Sequence, residues 1–293
     1  MDSPTILDGA WLRANSLPQP HEAADKNARG RVLVIGGCRT VPGGVRLTAE
    51  AALRAGAGKV QVATIESVAD MIGAFLPEIG VVPLRMNDDG EIDAAQAAVE
   101  RHLTRSDAVV LGPAMSCATQ SAALVKMALD HCGDAGLVLD AAALMAICHH
   151  AQGLKARRFP AVLTPHIGEI AALLEREAQA IDDDRERAVR ECAERFGAVV
   201  VLKGAISVVA DPMGQVFAYS GGNVGLATGG SGDVMAGIAG ALIARGTPPL
   251  VAALWSVWLH GEAGRRCAES IGPLGFLASE LLGFIPQVMH RAG

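Results

Sequence analysis

The chain has 293 residues, 51% of them hydrophobic and 3% aromatic, with 34 glycines, which is enough aliphatic material for a large core in one big domain or two ordinary ones. A formal charge of -6, with no Lys/Arg cluster longer than Arg157-Arg158 or Arg265-Arg266, gives no electrostatic footprint for duplex nucleic acid. Six cysteines at 38, 117, 132, 148, 192 and 267 contain no CxxC pair, so they point to neither a disulfide framework nor a zinc ribbon but to reduced thiols of a cytoplasmic protein.

In chain order, residues 1–24 read as an N-terminal arm without the basic start and apolar core of a secretory signal. Short β-branched runs then alternate with helical patterns. Strands are expected at 31–35, 59–63, 108–111, 137–140, 161–163 and 199–202; helices are expected at 45–55, 93–103, 119–131, 141–148, 167–176 and 184–196. Several strands are apolar on both faces, as strands between two helix layers must be. The alternation predicts a mostly parallel sheet covered on both sides. After Lys203 the rhythm changes to a hairpin, 206–210 and 215–219, around Asp211-Pro212-Met213-Gly214, which adds a late antiparallel pair at a sheet edge. Helices at 231–244, 250–270 and 274–290 close the chain. The most apolar stretch, 234–259, is interrupted by Arg245 and Pro248-Pro249, too soon to span a bilayer. No linker or repeat divides residues 25–293, which are expected to form one domain.

Chemistry concentrates in four places. Residues 221–233 hold six glycines and end on Gly229-Gly230-Ser231-Gly232-Asp233 at the start of an apolar helix. A glycine-rich helix entrance exposes unpaired N–H groups at the positive end of the helix dipole, where phosphate or a developing anion is held. An isolated Asp at a helix start is often no more than a favourable charge, but that does not account for the glycines. The strand before Lys203-Gly204-Ala205-Ile206-Ser207 ends where ligands collect in parallel sheets, so Lys203 can meet phosphates or merely extend its stem toward water. Thr164-Pro165-His166-Ile167-Gly168-Glu169 is another strand end entering a helix; Thr164 and Glu169 suit capping, and His166 and Glu169 lack zincin spacing. Gly36-Gly37, followed by Pro42-Gly43-Gly44, suits close approach to a ligand but departs from GxGxxG.

Together these segments resemble the NAD(P)H-hydrate dehydratase family of the ribokinase-like fold. The match runs from about Asp25 to Gly264 through Asp25-Lys26-Asn27-Ala28-Arg29-Gly30, Ala51 to Gly58, Leu111-Gly112-Pro113, Thr164-Pro165-His166, Lys203-Gly204-Ala205 and Gly222 to Asp233. The resemblance implies a three-layer α/β/α enzyme that phosphorylates the hydroxyl of hydrated NADH or NADPH from ADP or ATP with Mg2+. Phosphate then leaves and the nicotinamide double bond returns. It further implies that Lys203, Gly204, Ala205, Ile206, Ser207 and Gly232 contact nucleotide, and that Gly44, Ser116, His166 and Asp233 contact the hydrated dinucleotide. Asp233 would be the base, Gly230, Ser231 and Gly232 would supply stabilising N–H groups, and Glu169 would hold magnesium through water.

Three segments depart from the family pattern: Gly112-Pro113-Ala114-Met115-Ser116 is poorer in glycine, 139–144 lacks a second acid, and Ile167 replaces a common proline. With only an arm before Asp25, a separate NAD(P)H-hydrate epimerase is expected to interconvert the substrate epimers. The apolar C-terminal helices suit a homo-oligomer. Two other readings share these motifs: a hydroxyethylthiazole- or hydroxymethylpyrimidine-type kinase, and a nucleotide-binding protein without turnover.

Overall fold

Four-residue runs of Val, Leu and Ala leave no polar face, and such strands are stable only when covered on both sides. The computed structural model describes residues 3–19, 26–96 and 98–292; Asp25, where the resemblance begins, lies outside them. Its first half contains β1 (Thr5–Ile6), α1 (Gly9–Ala14), β2 (Arg31–Ile35), α2 (Gly44–Arg54), β3 (Lys59–Ile65), α3 (Glu66–Phe75) and β4 (Gly80–Leu84). There follow α4 (Glu100–Leu103), β5 (Ala108–Leu111), α5 (Ala118–His131), β6 (Gly136–Leu139), α6 (Ala142–Ala146), α7 (Ala151–Lys155) and β7 (Val162–Leu163). The second half contains α8 (Ile167–Leu174), α9 (Ala178–Asp183), α10 (Arg185–Phe196), β8 (Val199–Leu202), β9 (Ser207–Ala210) and β10 (Val216–Tyr219). It ends with α11 (Ser231–Ala244), α12 (Pro249–Ser270) and α13 (Ala278–Ala292).

The described strands form one sheet in the order β1-β10-β9-β8-β7-β6-β5-β2-β3-β4, mostly parallel and with helices on both sides. Every residue of β5, β6 and β8 is buried. The expected hairpin is present: β9 runs antiparallel to both β8 and β10. Its turn is built by Asp211, whose Oδ1 accepts from the N–H groups of Met213 and Gln215, and by Gly214 at φ +89°. β1 pairs in parallel with β10, and Leu7, Leu12 and Leu17 are buried in the core. Thus the segment read as an arm also carries a strand of the sheet.

Differences from the expected elements have local causes. The expected helix over 93–103 is replaced by a 3₁₀ turn, Ala94–Gln96, and the single turn of α4; Gln120 Oε1 and Asp93 Oδ1 accept from the N–H groups of Ala94 and Ala95 at the start of the turn. The last helix starts at Ala278 rather than 274, since Gly275 sits at φ +92° and Glu280 caps the Leu277 N–H. α3 and β4 have no counterpart among the expected elements; β4 contains Pro83 and lies at the end of the sheet, where the missing donor is tolerated.

α11 lies against α2, and this contact positions the site. A Cβ on Gly237 would fall 2.2 Å from the Thr48 carbonyl oxygen, so the helices approach only because Gly237 has no side chain. Gly237→Ala should therefore cost about 1–3 kcal/mol by overpacking, read as a lower denaturation midpoint with an unchanged m-value. From β2 the chain steps outward through β3 and β4 and then returns to β5 on the other side of β2. The carboxyl ends of β2 and β5 therefore flank a topological switch point, the usual crevice for ligands in such sheets.

Candidate active site

Three adjacent strand ends build the floor. Asp140 follows β6, Thr164 follows β7 and Lys203 follows β8. Lys203 Nζ donates to Asp140 Oδ1 at 2.9 Å, and the Thr164 hydroxyl donates to the same oxygen at 2.8 Å. Asp140 is 3% exposed, a burial that a carboxylate sustains only when paired and hydrogen-bonded. Burial pulls the Lys203 pKa down, but Asp140 and Glu169 outweigh it and hold the pKa above its usual value.

The wall is the start of α11. Gly230, at φ +87°, is its N-cap and offers no side-chain acceptor. The Ser231 N–H bonds to the Thr228 carbonyl and that of Val234 to the Gly230 carbonyl, whereas the N–H groups of Gly232 and Asp233 have no acceptor within the described chain. Two bare donors at the positive end of a 14-residue helix form an anion-binding corner. A Cβ on Gly232 would lie 3.1 Å from Lys203 Nζ, and one on Gly44 would lie 3.2 Å from Asp233 Oδ2 and 2.6 Å from the Ala114 Cβ. Gly44, Gly232, Lys203 and Asp233 thus meet at one point, at separations that two of them keep by having no side chain. Burial, with Asp140 nearby, raises the Asp233 pKa to about 7 against the pull of Lys203. That value suits a proton acceptor working near neutrality.

His166 and Glu169 lie at the start of α8. His166 Nδ1 accepts from the N–H groups of Gly168 and Glu169, and Glu169 Oε2 accepts from the His166 N–H, a reciprocal capping box. Nδ1 is committed as an acceptor, and Nε2 of the exposed ring lies 3.5 Å from Glu169 Oε1. Burial raises the Glu169 pKa, although Lys203 pulls it down. The Lys203 N–H donates to the Pro165 carbonyl, which sets the start of the segment after β8 beside His166, and the Lys203 carbonyl oxygen accepts from Arg185. Ser116 is turned elsewhere: its hydroxyl and N–H both donate to the buried Glu91. The backbone is strained at two strand ends beside the crevice, with Ala114 at φ +55° and Ala141 at φ +46°.

A family model described as NAD(P)H-hydrate dehydratase matches residues 32–287. The chain belongs to the NAD(P)H-hydrate dehydratase family. It is 44% identical over 285 residues to the ADP-dependent (S)-NAD(P)H-hydrate dehydratase of Xanthomonas campestris, covering 97% of this chain and 96% of that one. It is 38% identical to a bifunctional NAD(P)H-hydrate repair enzyme of Moorella thermoacetica, covering 98% of this chain but only 54% of that protein. The ADP/ATP-dependent NAD(P)H-hydrate dehydratase of Bacillus subtilis, co-crystallised with ATP/Mg2+, superposes with a TM-score of 0.82 at 26% identity, over 99% of both chains. A hydroxyethylthiazole kinase of Pyrococcus horikoshii, at 20% identity and TM-score 0.61, shares the fold.

In this NAD(P)H-hydrate dehydratase family member, sequence reasoning missed two residues at the site. Asp140 is one, and its available signal was a lone acid ending an otherwise apolar strand. The other is His260 on α12, whose Nε2 lies 2.7 Å from the Ser231 hydroxyl. Among the described residues no three of His, Cys, Asp and Glu are grouped to hold a metal, and no helix is long and apolar enough to cross a membrane.

Proposed function

We propose that this protein uses ADP to dehydrate the S-epimer of hydrated NADH or NADPH, returning NAD(P)H. The reading is carried by one arrangement: a carboxylate raised to about 7 at Asp233, beside the bare N–H groups of a helix start and the Lys203 ammonium. Asp233 takes the proton of the substrate hydroxyl as the terminal phosphoryl group of ADP arrives, and AMP leaves. The N–H groups of Gly232 and Asp233 receive the charge on the phosphoryl oxygens, with Lys203 close by. The C–O bond to phosphate then breaks, the ring nitrogen supplies the electron pair, and loss of a ring proton restores the double bond.

Asp140, Glu169 and Asp233 surround one ammonium, so nucleotide phosphates entering here need a further cation. Mg2+ suits this donor set, because it keeps waters and phosphate oxygens as ligands and needs no protein cage; Glu169 would hold it through water. When bound, it screens phosphate charge. His166 offers its exposed ring to the dinucleotide, Gly44 gives that ligand room beside Asp233, and Ser116 reaches it once released from Glu91. Residues 204–207 follow the nucleotide. A cytoplasmic catalytic unit, its domain over 25–293 completed by β1 and α1 of the arm, self-associated through its C-terminal helices and supplied by a separate epimerase, completes the reading.

Incubation with hydrated NADH, ADP and Mg2+ tests it by recovery of dihydronicotinamide absorbance. A stable phosphorylated product without that recovery would favour a small-molecule kinase, and ADP binding without turnover a binding protein. His166 permits a finer test. His166→Ala should raise KM for the hydrated dinucleotide more than KM for ADP and, by removing a cap, cost about 1 kcal/mol of stability. His166→Asn, a strong cap, should restore the stability but leave the KM elevated; recovery of both would reduce His166 to a capping residue.

A further inference from the structure

The first turn of α11 carries its chemistry on backbone that few of its own side chains hold in place. Gly229, Gly230 and Gly232 have no side chains, Gly230 provides no cap, and each glycine adds to the entropy lost on fixing one conformation. Within residues 228–233 the Ser231 hydroxyl makes the one side-chain hydrogen bond among the described residues, 2.7 Å from His260 Nε2. Ser231 is 4% exposed.

The other end of that bond is firmly anchored. His260 lies on α12, a 22-residue helix packed on α11, α13 and β8. Trp255, fully buried on the same helix, donates through Nε1 to the Asn15 carbonyl at 2.8 Å. Gly261 brings the helix so near Tyr219 that a Cβ there would lie 2.4 Å from the ring. Burial and the charge of Lys203 push the His260 imidazole down to about 4, so near neutrality the ring is uncharged and meets the hydroxyl as a hydrogen-bond partner.

We propose that His260 is a positioning residue for the reaction: through Ser231 it fixes the first turn of α11, and with it the aim of the Gly232 and Asp233 N–H groups and of the Asp233 carboxylate. This role rests on the dehydratase reading above. A rigid second layer of this kind is what a backbone-built anion site requires, since a misplacement of about 1 Å costs on the order of 100-fold in rate.

The test compares His260→Leu, His260→Gln, Ser231→Ala and the Ser231→Ala/His260→Leu double variant. His260→Leu should lower kcat about 10–100-fold while KM for the hydrated dinucleotide stays within about twofold, the split expected when alignment rather than binding is lost. His260→Gln, whose amide reaches the Nε2 position, should regain most of the rate. Ser231→Ala should reproduce the loss, and the double variant should be no worse than either single one, because both break the same bond. Amide hydrogen exchange at Ser231 and Val234, measured without substrate, should accelerate in His260→Leu. That readout still decides the tether if the wild type fails to dehydrate hydrated NADH, a result that would defeat the dehydratase reading alone. Unchanged exchange, a near-normal kcat in folded His260→Leu, or losses that multiply in the double variant would each overturn the role assigned to His260. Should His260→Leu not fold, Ser231→Ala carries the kcat and exchange measurements by itself.

Discussion

Asp233→Asn should lower kcat about 10²–10⁴-fold, the usual worth of a positioned proton acceptor, and at the same time make the ligand-free protein more stable at neutral pH. The second effect follows from the raised carboxyl. In the unfolded chain Asp233 titrates near 3.8 and in the folded protein at about 7; between those values the folded state holds more protons. Stability is therefore greatest below pH 3.8 as far as this group is concerned, and is lost as pH rises to about 7. Roughly 3 pH units at 1.36 kcal/mol each, discounted for solvent that reaches the carboxylate, come to about 2–4 kcal/mol. Asparagine never ionises and escapes that loss. Thermal melts at pH 5 and pH 8 should show the variant gaining on the wild type as pH rises. The wild-type kcat/KM should fall below about pH 7 as the base is protonated. If Asp233 were only a favourable charge at a helix start, Asn would instead cost about 0.3–1 kcal/mol and turnover would stay near normal.

Lys203→Met should raise KM for ADP about 10–100-fold, in line with roughly 1.5–3 kcal/mol for a charged hydrogen bond. It should also move the acid limb of kcat/KM to higher pH, because Lys203 is what pulls the Asp233 pKa down. The lost cation strands Asp140, held then by Thr164 alone. The destabilisation approaches the roughly 3–5 kcal/mol of a broken buried pair, reduced because 24% of the Lys203 side chain reaches solvent. Lys203→Met/Asp140→Asn should recover most of that stability without recovering ADP affinity. Equal recovery of both would mean that Lys203 serves Asp140 and not the nucleotide.

The central strands were legible because their chemistry is local. The observed β2, β5 and β8 have the bounds expected from their apolar runs, and α11 runs from Ser231 to Ala244 as its apolar pattern indicated. β4 was not, since Pro83 and a half-exposed face remove the features by which a buried strand is recognised. The candidate site divides in the same way. Asp233, Gly232 and Lys203 stand next to strand ends or a glycine-rich helix start, which sequence alone marks. Asp140 and His260 owe their place to partners 63 and 29 residues away, and no window along the chain contains both members of either pair. The capping by His166 was hidden for a different reason: histidine is outside the usual set of N-cap residues.

The two ends of the sheet have a bearing on how molecules behave toward one another. β10 carries Val216, Phe217 and Tyr219, which as an open edge would be an adhesive template for a strand from another chain. β1 covers it with two residues and one further bond, from the Leu7 N–H to the Ala218 carbonyl, and then turns into α1, where Trp11 meets Phe217 edge-on at 5.7 Å. At the other end Pro83 removes a donor from β4. Each border is shortened or interrupted by a feature of its own sequence, which disfavours growth by strand addition.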